Sequence, residues 1–111
     1  ECISSHGTST MLNDEAERLI IESVQGNGRP PVIALKSWIG HCAPACGAVE
    51  LAIALILMKN SYLPEIRNLE EPCSRDIDFV RKPRITSFSS FLIENFGFGG
   101  QNCALVLRSL K

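Results

Sequence analysis

The sequence predicts an α/β chain in the order β-α-β-α-β-β, incomplete as a layered fold, with one helix enclosed between sheets. Three observations predict it. One helical stretch is apolar on every side, so protein must surround it. A short continuous apolar run bounded by breakers reads as a strand buried on both faces. Near the C-terminus, two stretches rich in β-formers flank a glycine-rich turn, the pattern of an antiparallel hairpin.

Taken in order, residues 2–5 are short and mixed, fit for a strand ending at His6, and Gly7 through Thr10 form a polar turn. A helix is expected from Asn13, which can cap it, with Asp14, Glu15 and Glu17 in a first turn where the helix dipole favours negative charge. Ala16, Leu19, Ile20 and Val24 recur at helical spacing and are expected to form its buried stripe. Gly26-Asn27-Gly28 stops that helix, and Pro30-Pro31 leads into the apolar run Val32-Ile33-Ala34-Leu35. Ala48 to Met58 is apolar all round except for Glu50, and its 11 residues fall short of the ~20 needed to span a bilayer. Residues 60–84 hold Pro64, Pro72 and Pro83 and read as a long surface connection. Thr86–Ile93 and Cys103–Leu107 are the hairpin strands, joined through Asn95-Phe96-Gly97-Phe98-Gly99-Gly100.

Composition bounds the function. The 111 residues suffice for one small domain, and 45% hydrophobic with 21% charged residues is ordinary for a globular protein. A net charge of −1 with no charge run argues against a nucleic-acid partner or a polybasic membrane anchor. Five cysteines without a CxxC pair suggest reduced thiols and a cytoplasmic location. The chain starts at Glu1 without a signal-like stretch, and its first motif begins at residue 6, as expected of a fragment.

Both histidines stand beside glycine at the ends of expected strands, where backbone or ligand can approach closely. His6 opens His6-Gly7-Thr8-Ser9-Thr10, followed by Asn13-Asp14 and Ala16-Glu17. His41 follows Lys36-Ser37 and Gly40, and precedes Gly47-Ala48-Val49-Glu50. Asn68-Leu69-Glu70 and Asn95-Phe96-Gly97-Phe98-Gly99-Gly100-Gln101-Asn102 come later. In order and spacing, these four motifs resemble those of β-ketoacyl-acyl-carrier-protein synthases, members of the thiolase-like superfamily, over nearly the whole chain.

That resemblance implies the C-terminal part of a thiolase-like layered αβαβα fold over residues 1–111, without the half that bears the nucleophilic cysteine. It implies a decarboxylative Claisen condensation of an acyl thioester with malonyl-acyl carrier protein, in fatty-acid or polyketide synthesis. The catalytic set would be His6, His41, Lys36 and Glu17, with Lys36 and Glu17 expected to pair near the histidines. Neutral imidazole N–H groups suit this reaction because they stabilise the developing enolate oxygen. Phe98 matches the loop phenylalanine whose N–H helps build an oxyanion hole. Thr8 and Thr10 match contacts to the phosphopantetheine arm, although as turn residues they also suit local backbone bonding. Glu50 matches a structural network that includes a cation in some relatives.

No resident cofactor and no metal are expected. Cys42, Cys46 and His41 lack the four-ligand spacing of a structural zinc site, and the two thiols fit as small apolar residues. The expected partner is acyl carrier protein, with homodimerisation of the full-length protein. Pro44, Ile39 and Gln101 depart from common family residues without removing a catalytic side chain. Three other readings stand beside this one. A non-catalytic chain-length partner would not need both histidines and Lys36. A degradative thiolase would carry a cysteine in the glycine-rich loop, and residues 96–100 hold none. An autonomous binding module would leave no apolar face exposed. On the leading reading, the fragment alone is inactive.

Overall fold

The computed structural model describes residues 1–110. The strand β1 (Cys2–Ser4) is fully buried and pairs in parallel with β2 (Val32–Ile33) on one side and β5 (Ser90–Gly97) on the other. β5 continues through a turn at Phe98-Gly99-Gly100 into antiparallel β6 (Gln101–Arg108), giving the sheet order β2-β1-β5-β6. Gly99 and Gly100 both take φ of +80°, a conformation that side-chain-bearing residues resist. The outer edge of β2 is covered by the connecting segment, where Val32 N–H donates to the Asp78 carbonyl and Val80 N–H to that of Val32.

Alternation along β1, β2 and β5 divides the core into two layers. Cys2, Ile33, Phe91 and Ile93 face α3 (Cys46–Asn60) and pack with Ala54, Leu57 and Leu63. Ile3 and Val32 face the other way, against Ile21 of α1 (Met11–Val24) and Ile77. A four-residue helix, α2 (Lys36–Ile39), links β2 to the turn before α3. Between α3 and β5, β3 (Tyr62–Leu63) pairs antiparallel with β4 (Arg84–Ile85), and the rest of that segment has little regular structure. The expected elements occur in the expected order, with boundaries shifted by a few residues, and α2 and the β3–β4 pair stand in stretches where the sequence pattern had marked neither helix nor strand.

Two helix expectations need correction. Thr10, not Asn13, caps α1: its Oγ1 accepts the Asn13 N–H at 3.3 Å from an extended backbone. The face that α1 buries runs through Glu17 and Ile21, whereas Ala16, Leu19 and Val24 are exposed. Hydrophobic spacing found the helix but not its inward face, because a carboxylate occupies the centre of that face.

The apolar helix is also longer than its sequence signal. With its preceding 3₁₀ turn it runs from Ala43 to Asn60, 18 residues, long and apolar enough to cross a membrane by length and composition. Its inward side instead carries the buried Glu50, Ala54 and Leu57 onto the sheet, so it is a layer of this fold. Leu55 and Ile56, on its other side, are more than half exposed. Phe91 is fully buried at the centre of the α3 layer, so Phe91→Ala should cost about 3–5 kcal/mol through the cavity it leaves. Urea unfolding of the two proteins measures this, and a loss below about 1 kcal/mol would contradict the packing.

Candidate active site

The loop after β1 is fixed by a single carboxylate. Glu17, buried on α1, accepts the backbone N–H of His6 on Oε1. On Oε2 it accepts the Gly7 N–H at 2.8 Å and Asn13 Nδ2 at 2.6 Å. Burial pushes the Glu17 carboxyl up from its ordinary value, and these three donors pull the other way. Gly7 has φ +54°, and a Cβ there would meet the Ala34 Cβ at 2.8 Å, so close backbone approach requires glycine. The loop can therefore take only a narrow path, which aims His6 at the edge of the sheet.

His41 arrives from the other side. α2 ends at Gly40, with φ +72°, and His41 follows before the turn into α3. The two imidazoles meet edge to face, ring centroids 5.8 Å apart and planes at 88°. Each has its Nδ1 engaged by a backbone donor: the Phe96 N–H at 3.3 Å from His6, and the Ala43 N–H at 3.0 Å from His41. A nitrogen that accepts an N–H cannot carry the proton, so each neutral ring carries it on Nε2. His6 is held toward its neutral form, because burial and then the Lys36 charge lower its pKa. The arrangement thus offers two Nε2–H donors, one from the loop after β1 and one from the turn between α2 and α3.

Lys36 does not pair with Glu17 as the sequence suggested. Its Nζ lies 2.7 Å from Glu50 Oε1, with both side chains buried, and Asn95 Nδ2 donates to Glu50 Oε2 at 2.9 Å. Glu17 is committed to backbone N–H groups, and Glu50, reaching in from α3, takes the ammonium. Both Glu50 oxygens are thereby occupied within the protein. Among the described residues, no group of three or more His, Cys, Asp or Glu side chains is placed to hold a metal.

Thr8 lines a cleft of about 320 Å³ together with Ser9, Lys36, Ser37, His41, Arg67 and others. Thr10 is occupied in capping α1, and its Oγ1 lies 3.5 Å from that of Thr8. Phe98 projects, fully exposed, from the hairpin turn; Phe96, two residues earlier, is the phenylalanine against His6, with centroids 5.5 Å apart. Sequence reasoning missed Phe96, Asn95 and Cys46, whose Sγ sits 3.7 Å from His41 Nδ1. Their roles come from backbone geometry and burial, which no motif spacing encodes.

Glu94 was also missed. It is buried on β5, its Oε2 has no hydrogen-bond partner, and burial together with the charge of Glu17 pushes its pKa up to about 7.

Comparisons place this geometry among known proteins. Residues 1–70 match the family described as beta-ketoacyl synthase, C-terminal domain. The chain is 32% identical over 111 residues to 3-oxoacyl-[acyl-carrier-protein] synthase 1 of Escherichia coli strain K12, covering 98% of this chain and 27% of that protein. A beta-ketoacyl synthase from Burkholderia phymatum superposes with a TM-score of 0.90 at 34% identity, over 98% of this chain and 27% of that one. A ketosynthase solved with its type II polyketide synthase acyl-carrier protein and bound to the hexaketide also gives 0.90, at 28% identity, over 99% of this chain and 28% of that one. The chain thus spans about a quarter of the length of these relatives.

Glu94 gives a pH test. Its folded pKa lies above its unfolded value, so the folded state binds the extra proton and loses stability as pH rises from about 4.5 to about 7. Glu94→Gln, which cannot ionise, should be more stable than the parent above pH 7, on the order of 1–3 kcal/mol, with little difference at pH 4. Urea midpoints across pH 4–8 measure it; parallel profiles for the two proteins would refute it.

Proposed function

Because the chain belongs to the beta-ketoacyl synthase family, we propose that it carries the two-histidine side of the active site of a 3-oxoacyl-[acyl-carrier-protein] synthase, an acyltransferase. The observation that supports this most is the facing histidine pair, each with Nδ1 engaged by a backbone N–H, which puts the ring N–H on Nε2. In the reaction, an acyl group sits as a thioester on a cysteine outside these residues. The bond between the malonyl α-carbon and its carboxylate breaks, carbon dioxide leaves, and the electron pair passes into an enolate. His6 and His41 hold the enolate oxygen through Nε2–H, so no strong base is needed. The carbanion then attacks the acyl carbonyl, and the cysteine departs as thiolate.

The remaining residues have supporting parts in this reading. Glu17 fixes the backbone of His6 and Gly7; burial and then the Lys36 charge hold His6 toward its neutral form, while Glu50 pairs with Lys36. The Phe98 N–H, at the turn of the hairpin, serves the oxyanion of the acyl step once the cysteine-bearing half is packed against it. Thr8 and Thr10 contact the phosphopantetheine arm, which belongs to the substrate, so no resident cofactor is required. Acyl carrier protein is the partner, the full-length protein is a homodimer, and it works in the cytoplasm in fatty-acid or polyketide synthesis. Retention of His6, His41 and Lys36 in one cluster favours this over a non-catalytic chain-length partner.

In this reading the nucleophilic cysteine belongs to the half outside these residues. Within them, Cys2 and Cys46 are buried, and burial pushes the Cys2 pKa up to about 12. The isolated chain should therefore take up no acyl group from acyl carrier protein or acyl-coenzyme A. Mass spectrometry tests this: stoichiometric acylation, abolished by one Cys→Ala change, would place the chemistry elsewhere.

In the whole synthase carrying this segment, His6→Ala or His41→Ala should slow malonyl decarboxylation by about 10²–10³-fold. An unchanged rate in either variant would overturn the donor role.

A further inference from the structure

The cleft beside His41 contains three cations, and two of them are spoken for. Arg18 bonds Glu15 and Glu22, and Lys36 bonds Glu50. Arg67 makes no ion pair among the described residues, yet it is not loose. Its guanidinium carbon lies 4.2 Å from the Trp38 ring centroid, and its backbone N–H donates to Ser37 Oγ at 3.1 Å. Ser37 Oγ in turn donates to the Ala34 carbonyl at 2.7 Å, and Trp38 Nε1–H donates to the Glu65 carbonyl at 2.7 Å. Platform and arginine are thus fixed to each other across 30 residues of chain and to the end of β2.

A guanidinium stacked on an aromatic face keeps its in-plane N–H donors free and pre-oriented, the state in which arginine recognises phosphate. The same cleft is lined by the hydroxyl residues Thr8 and Ser9 and by Asn68, with His41 in its wall. It also holds Asp14 and Glu71, so its field does not draw anions generally, and an anion is favoured only near Arg67. A ligand that must present a thioester at the histidines and an anion at the rim is a phosphorylated pantetheine. This rests on the synthase reading above: we propose that Arg67, held by Trp38, binds the phosphate of the pantetheine arm of the malonyl donor.

Carrier-bound phosphopantetheine and coenzyme A share that phosphate chemistry, and the test separates them. In the whole synthase, Arg67→Gln is assayed with malonyl-acyl carrier protein, malonyl-coenzyme A and malonyl-pantetheine, which lacks phosphate. For both phosphorylated donors KM should rise about 10–100-fold, the loss of a charged hydrogen bond, with kcat within about threefold. Malonyl-pantetheine should be unaffected. An equal effect on all three donors makes Arg67 a structural residue and overturns the proposal, as does no effect on any. A rise for the carrier-bound donor alone places Arg67 against the carrier's protein surface, and also overturns it. Failure of the parent enzyme to condense any donor sinks the synthase reading itself, a result distinct from all of these.

Discussion

The buried contact between Lys36 and Glu50 is the constraint on which the rest of this structure depends. Taking two charges out of water costs several kcal/mol per ion, and their attraction recovers that only with good geometry and further hydrogen bonds. Here the separation is 2.7 Å and Asn95 supplies the further bond to Glu50. The three side chains come from α2, α3 and β5, so the charges can be satisfied only when all three elements are in register. A hydrophobic contact would tolerate a shifted α3; an uncompensated carboxylate in this position would not. Burial lowers the affinity of the His6 ring for a proton, and the Lys36 charge adds to that while Glu50 opposes it. The contact thereby fixes the register of the elements that carry the site.

The fold was legible in the sequence wherever local pattern and global role agreed. The run Val32–Leu35, the hairpin turn at Phe98-Gly99-Gly100 and the apolar helix each carry their signal within a few residues. The inner face of α1 was not legible, because Glu17 faces inward for the sake of two backbone N–H groups, and no hydrophobic pattern marks such a position. The pairing of Lys36 failed for a related reason. Motif spacing says which residues approach the site, not which carboxylate is already occupied. Glu17 lies closer in the motif logic, but its oxygens are saturated by His6, Gly7 and Asn13, and Glu50 is the carboxylate that remains.

The histidines show how a side chain's chemistry is decided by backbone. Neither ring has a carboxylate fixing its tautomer; a peptide N–H performs that task for both. A carboxylate at Nδ1 would favour the imidazolium and turn the ring into an acid or base. A peptide N–H occupies Nδ1 as an acceptor and leaves the ring N–H at Nε2. Glycines beside each ring matter here for one reason each: Gly7 permits the approach to Ala34, and Gly40 supplies the positive φ that turns the chain toward His41.

The exposed apolar surface weighs against reading these residues as a free-standing binding module. Such a module would cover its core on all sides, since contiguous apolar patches on monomers are limited to a few hundred Å². Here α3 buries Ala54 and Leu57 while leaving Leu55 and Ile56 open. On the outer strand β6, Leu105 and Val106 are open as well, and Phe98 is bare at the hairpin turn. These faces belong to different layers, so no local rearrangement of one loop closes them together. A helix with no polar face needs protein on both sides, and the sheet supplies only one. His41, in the turn that leads into α3, is itself exposed.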